Sequence, residues 1–192
     1  MGVPTIKTGP MTVEEFHAFT DTRPDEEKWE LVDGEPFLNA SPSPIHQWIV
    51  RNLVIALGNQ ERKLNAHWVV LPGLGVRISN INRPEPDVVV ISRVGISLDP
   101  RSRDTSEVIV AFEILSPSTE QRDLRWKRTA YTSLPSLTHY VVIAQDAVEV
   151  VAFARDAGFA ERRLQALADW LELPVLGVSL PLSEIYRDTG LE

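Results

Sequence analysis

Val108-Ile109-Val110-Ala111-Phe112-Glu113-Ile114-Leu115 is an almost unbroken apolar run, interrupted by a single acid. Such a run, short and rich in β-branched residues, reads as a central strand covered on both faces. Strand alternation places Glu113 on the face of Ile109, Ala111 and Leu115, which would otherwise be core. An ionised glutamate there costs several kcal/mol unless it is paired or bound to a metal. An arginine or a backbone amide could satisfy it, and that is the simpler alternative. Glu113 is nonetheless the residue around which a site is first sought.

Upstream, Asp87-Val88-Val89-Val90-Ile91 reads as a second buried strand, entered through an acid that follows Pro86. Taken alone, Asp87 is an ordinary solvated strand end. Residues 94–106, with Gly95 and Pro100, form the loop between the two strands. Downstream, a helix is expected over 121–133, bearing Asp123, Lys127 and Tyr131 at intervals of four and so on one side. A surface Asp–Lys pair worth about 0.3 kcal/mol is the plain reading of that spacing. Strands follow near 139–143, 148–154 and 159–164, with a turn at 156–158.

Toward the N-terminus, Thr12 and Glu15 make a capping box for a helix over 13–19, and the polar segment 21–27 is a loop. Asp33-Gly34 between the apolar stretches 29–32 and 36–39 signals a hairpin. Ser43 caps, and Pro44 opens, a long helix ending near Leu64, with Ile45, Ile49, Leu53 and Leu57 as its stripe and Trp48, Val50, Val54 and Ile55 widening it. Strands are expected at 67–71 and 75–78, joined through Pro72-Gly73, and the tail from Pro174 is apolar with a helical turn at 183–186. The result is an α/β fold with a mixed, mostly buried central sheet flanked by helices. It reads as a single domain over 1–192 with its core at about 12–186.

The 192 residues, 43% of them hydrophobic, suffice for a real core. With no cysteine, disulfides and thiolate metal sites are excluded. No apolar run approaches the ~20 residues of a membrane span, and the first ten residues lack the pattern of a signal peptide, so a cytoplasmic location is expected. A formal charge of −8 argues against a broad electrostatic grip on nucleic acid. It leaves room for a local basic cleft drawn from Arg122, Arg125, Lys127 and Arg128, from Arg101 and Arg103, or from Arg162 and Arg163, although solvated faces are the simpler reading of each cluster.

The blocks Trp29-Glu30-Leu31-Val32-Asp33-Gly34-Glu35, Ser41-Pro42-Ser43-Pro44-Ile45-His46-Gln47, Pro86-Asp87-Val88-Val89-Val90 and Val110 to Thr119, followed by Asp123, Lys127 and Tyr131, occur in an order more specific than any one of them. In that order the chain resembles the Uma-type "putative restriction endonuclease" family, itself similar to the PD-(D/E)-x-K nucleases. The resemblance implies a restriction endonuclease-like sheet flanked by helices, a divalent metal (Mg²⁺ or Mn²⁺), nucleic acid as substrate, DNA in the first place, and a homodimer. It implies Asp87, Glu113 and the backbone carbonyl of Ile114 as metal ligands, with Asp87, Glu113, Lys127 and Glu30 as the catalytic set. The superfamily's lysine two residues after the glutamate is missing, because position 115 is Leu115. Lys127 from the following helix is the implied substitute. Its ammonium is expected to point into the cleft near Asp87 and Glu113, and because the side chain is not part of the core its removal should leave folding nearly intact. His46 is a further cleft candidate, although a packed or solvent-facing side chain is the simpler role. Asp123 and Tyr131 complete the candidate set.

These residue types suit phosphodiester hydrolysis, which needs a hard cation to bind a phosphate oxygen and activate water. Mg²⁺ takes oxygen ligands and commonly only one or two carboxylates. The alternative is a catalytically weak or inactive nuclease-like module acting in DNA docking or dimeric protein interaction, which the negative charge and displaced lysine favour. A glycosidase built on paired carboxylates is remote, because no aromatic-rich sugar platform accompanies them.

Overall fold

The computed structural model describes residues 9–94, 96–99, 101–115 and 122–191, with the side chains of 122–124 excepted. The chain runs α1 (Val13–Thr20), β1 (Trp29–Val32), β2 (Glu35–Leu38), α2 (Pro44–Lys63), β3 (Trp68–Pro72), β4 (Gly75–Val76), β5 (Val88–Ser92), β6 (Asp104–Thr105), β7 (Val108–Leu115), α3 (Arg122–Thr132), β8 (His139–Ala144), β9 (Val150–Ala154), β10 (Glu161–Leu164), β11 (Trp170–Leu173), β12 (Val178–Pro181) and α4 (Leu182–Ile185). The central sheet has six strands in the order β10-β9-β8-β7-β5-β3. Only β7 and β8 pair in parallel within it, joined by the α3 crossover.

The octapeptide Val108–Leu115 is β7, flanked by β5 and β8 at the middle of the sheet. One face, with Val88, Val90, Val110, Phe112 and Val141, packs against Ile49, Leu53 and Leu57 of α2 and against Leu171, Leu180 and Ile185 of the C-terminal segment. The other, with Val89, Ala111, Tyr140 and Phe153, packs against Tyr131, Leu134 and Leu137. A smaller core joins Val13 and Phe16 of α1 to Leu31 of β1.

Local rules account for the elements that carry the site. In α1, Thr12 accepts from the Glu15 amide while Glu15 accepts from that of Thr12. Asp33 and Gly34 both have positive φ, 50° and 79°, as a type I′ hairpin requires. Gly34 also lies against Pro10, where a Cβ would come within 2.2 Å of the proline ring. Ser43 caps α2 by accepting from the His46 amide at 3.2 Å.

Several expectations are corrected. Ile109 does not share a face with Glu113. Val110 pairs with Val90 but Val108 pairs with Ile91, so Ile109 is the extra residue of a bulge and packs on the α2 side, while Val108 takes the other face. The α2 stripe is narrower than read, with Trp48 and Ile55 exposed and Asn52 buried. That asparagine is satisfied by donating to the carbonyls of Ile185 and Arg187 at 3.1 and 2.7 Å. β4 pairs in parallel with β6, a short strand inside the expected loop. β11, for which no element was expected, forms a hairpin with β12, which lies in the anticipated apolar tail. None of the helices among the described residues is long and apolar enough to cross a membrane.

Candidate functional site

Five segments converge at one end of the sheet. In the antiparallel pairing of β5 and β7, Val88 lies opposite Phe112 and Val89 opposite Ala111. One step further, that register sets Asp87 opposite Glu113, and opposed residues of an antiparallel pair project to the same face. The ladder ends there, and the Asp87 side chain takes over, with Oδ2 accepting from the Ile114 amide at 2.8 Å. Since a strand residue's N–H and C=O point the same way, the Ile114 carbonyl is turned toward Asp87 as well.

Around Glu113, α3 supplies Lys127 and, one turn later, Tyr131. The Lys127 ammonium lies 3.1 Å from Glu113 Oε1 and 3.0 Å from Glu30 Oε1. The Tyr131 hydroxyl donates to Glu113 Oε1 at 3.0 Å. Both contacts are made at Oε1. Glu30 comes from β1, its Oε1 also accepting from the Glu85 amide at 2.7 Å. The hairpin is anchored by reciprocal backbone bonds between Leu31 and Arg83 at 3.1 and 2.8 Å. Arg83 in turn holds Glu85 at 2.9 Å, its guanidinium filling the space beside Gly75 where a Cβ would sit.

Around Asp87, His46 Nε2 and Lys28 Nζ each lie 3.2 Å from Oδ1. The sequence reading favoured a packed or solvent-facing histidine, but the first turn of α2 aims His46 at Asp87. Lys28 was missed altogether. The alternation Lys28-Trp29-Glu30 contained a signal, since positions two apart on an extended strand share a face. Asp123 lies on α3, its side chain outside the described residues. Asp87, Glu113, Lys127, Glu30, His46 and Tyr131 are therefore brought together.

The electrostatics follow from burial and these partners. Burial opposes ionisation of Asp87, but the His46 hydrogen bond, the Lys28 charge and the Ile114 amide together hold its carboxyl at about 2. Glu113 goes the other way. Burial, reinforced by the charges of Asp87 and Glu30, pushes it up to about 7 against the pull of Lys127. Burial also works against the Lys127 ammonium, yet Glu113 and Glu30 hold it well above its ordinary range. Burial beside Glu113 raises the Tyr131 hydroxyl well above its usual value, so it stays a donor.

The Asp87 shift has a measurable consequence. A carboxyl whose folded value falls from 3.8 to about 2 contributes stability that is complete above the unfolded value and is lost as pH falls toward 2. At 1.36 kcal/mol per pH unit this is about 2 kcal/mol. Asp87→Asn should therefore lower the unfolding free energy by about 2 kcal/mol at neutral pH, and urea titrations should show the difference fading near pH 2.

Most of the basic clusters prove locally satisfied. Arg101 pairs with Asp99, Arg103 with Asp21, and Arg163 with Glu149 and Glu161. Arg128 donates to the Phe159 carbonyl and lies over the Phe153 ring. Among the described residues, no group of three His, Cys, Asp or Glu side chains is placed to hold a metal by itself.

Known proteins share the fold and the family of this chain. A crystal structure described as a putative nuclease belonging to DUF820, from Anabaena variabilis, superposes with a TM-score of 0.72 over 92% of this chain and 98% of the other, at 16% sequence identity, and establishes the likeness of fold. An uncharacterized protein of Synechocystis, slr1290, is 33% identical over 100 residues, which are 49% of this chain and 52% of that protein. The chain thus matches about half the length of this relative. The model of the Uma2 family, described as "Putative restriction endonuclease", matches residues 13–183, and the chain belongs to that family.

Proposed function

We propose that this chain is a metal-dependent endonuclease, one nuclease-like domain that hydrolyses phosphodiester bonds of nucleic acid, DNA in the first place. One observation carries the reading. Two carboxylates from adjacent strands face the same way, and an ammonium is held against one of them by a third acid. The donor set suits Mg²⁺ or Mn²⁺, which prefer hard oxygens and need few carboxylates. Asp87 and Glu113 would hold the cation, joined by the Ile114 carbonyl. When bound, the cation supplies Lewis acidity toward a phosphate oxygen and lowers the pKa of a water.

The protein's own groups do the rest. Lys127 offsets charge that develops on the phosphorane-like transition state. Glu30 and the Glu85 amide fix where that ammonium sits, and the Tyr131 hydroxyl sets the orientation of Glu113. His46 and the Ile114 amide hold the Asp87 carboxyl in place. Glu113 and Lys127 thus project from different elements yet occupy one cleft, as the missing lysine at position 115 demands.

The test is cleavage of labelled duplex, single-stranded and branched DNA, and of RNA, in Mg²⁺, Mn²⁺ or EDTA. Metal-dependent internal cutting of DNA by the wild type, lost in EDTA, is the expected result. No cutting of any substrate with either metal would leave the second reading, a nuclease-like module for DNA docking or protein interaction. The observation favouring that reading is a Lys127 ammonium already engaged by two carboxylates. A homodimer working in the cytoplasm fits a two-site cut across a duplex, and light scattering at high micromolar concentration tests the dimer.

A further inference from the structure

We propose that Lys28 is the substrate-gripping cation of this site, its ammonium binding a non-bridging phosphate oxygen of the nucleic-acid backbone. The inference rests on the nuclease reading and goes beyond it, because it assigns substrate contact to a residue outside the acidic and α3 set.

The two ammonium groups of the site are differently committed. Lys127 is 16% exposed and engages two carboxylates at 3.0 and 3.1 Å. Lys28 is 33% exposed and engages one, at 3.2 Å. Its stem starts at a fixed point, since the Lys28 carbonyl accepts from the Asn39 amide at 2.9 Å at the open end of the hairpin. The oxygen it touches is also held by His46, so Asp87 keeps a partner when Lys28 turns away. Four flexible carbons carry the ammonium, and lysine serves phosphate as a mobile point charge. The overall charge of −8 and the internal pairing of Arg101, Arg103 and Arg163 make such a contact valuable. A chain of net negative charge depends on the cations that reach the backbone.

The competing role is local. Lys28 would then only offset the charge of Asp87, and the two roles predict opposite results. The probe is a fluorescently labelled oligonucleotide, titrated by anisotropy across a salt series in EDTA so that nothing is cut. For substrate contact, Lys28→Gln weakens binding about tenfold at low salt and reduces the slope of log K against log salt by about 0.7–0.9, the value of one phosphate contact. Lys28→Arg restores most of both. Lys63→Gln, at an exposed position on the last turn of α2, leaves the slope unchanged. An unchanged slope in Lys28→Gln, with Mg²⁺ binding tightened in calorimetry, overturns the inference and assigns Lys28 to charge offset alone. If the wild type cuts DNA and only this slope result fails, the nuclease reading stands without Lys28. If the wild type neither binds nor cuts any oligonucleotide, both fall.

Discussion

Glu113→Gln is expected to lose more than about 100-fold in metal-dependent cleavage while the metal-free protein becomes more stable. Removing a partner that merely orients a metal ligand typically costs 10–100-fold, so replacing a ligand should cost more. The stability effect has the opposite sign because the folded protein resists ionising this group, whose carboxyl is raised from 4.5 to about 7 by burial and by Asp87 and Glu30. A carboxyl raised in the folded state favours folding most below its unfolded value, and that advantage is lost as pH climbs from about 4.5 to about 7. Above that window the wild type carries a disfavoured charge that glutamine lacks. Thermal melts in EDTA should then show Glu113→Gln a few degrees above wild type on the alkaline side of neutrality, and the gap should close near pH 4.5. A change of 1 kcal/mol is worth roughly 2–4 °C at this chain length. A variant that melts lower at every pH would mean that the lost Lys127 and Tyr131 contacts outweigh the relieved charge.

The same glutamate shows why part of the site was legible in the sequence. An acid inside Val108–Leu115 violates the pattern around it, and such violations mark function or strain. Asp87 carries no such contrast; only the order of the family's blocks singled it out, and the register that pairs Val88 with Phe112 explains why it faces Glu113. The hairpin was readable because Asp33-Gly34 is among the few dipeptides that accept two positive φ angles in succession. The bulge at Ile109 was not, since valine and isoleucine fit either face and composition does not reveal which residue lacks a partner. β11 and β12 did alternate, Leu171 and Leu173 inward against exposed Trp170 and Glu172, but four residues are too few to stand out beside a neighbouring apolar turn. Lys28 stayed hidden because a lysine in a polar loop is the commonest of surface features. Only the three-dimensional closure of the hairpin against Asp87 distinguishes it.

Lys127 is where the structure changes the expectation most. A side chain expected to turn its ammonium into the cleft, yet to lie outside the core, suggested a residue whose loss would leave folding nearly intact. The ammonium is instead largely enclosed, between Glu30 and Glu113, two of the most buried acids of the protein. Lys127→Met keeps the length and apolar stem of the side chain and removes only the charge. Glu30 and Glu113 then share a site with little access to water and no counterion, and Glu113 must be protonated to stay buried beside Glu30. Breaking a buried pair by deleting one partner costs about 3–5 kcal/mol, and here the deleted group serves two partners. Urea denaturation in EDTA should therefore place Lys127→Met about 3–5 kcal/mol below wild type at neutral pH. Acid should narrow the gap, because protonating Glu113 removes one of the opposed charges. Divalent metal should narrow it by a separate route if a cation enters beside Glu113, since ligand that binds only the folded state adds stability. Activity should fall by about 100-fold or more even where the variant is fully folded, as for loss of one preorganised donor to a developing charge. Lys127→Arg should recover stability better than activity: a guanidinium restores the charge, but its planar fork cannot occupy the point between the two oxygens. If Lys127→Met unfolds at the wild-type midpoint in EDTA, the two acids are not relying on this ammonium. If the folded variant cuts as fast as wild type, Lys127 is a structural counterion and the charge on the phosphate is met by another group.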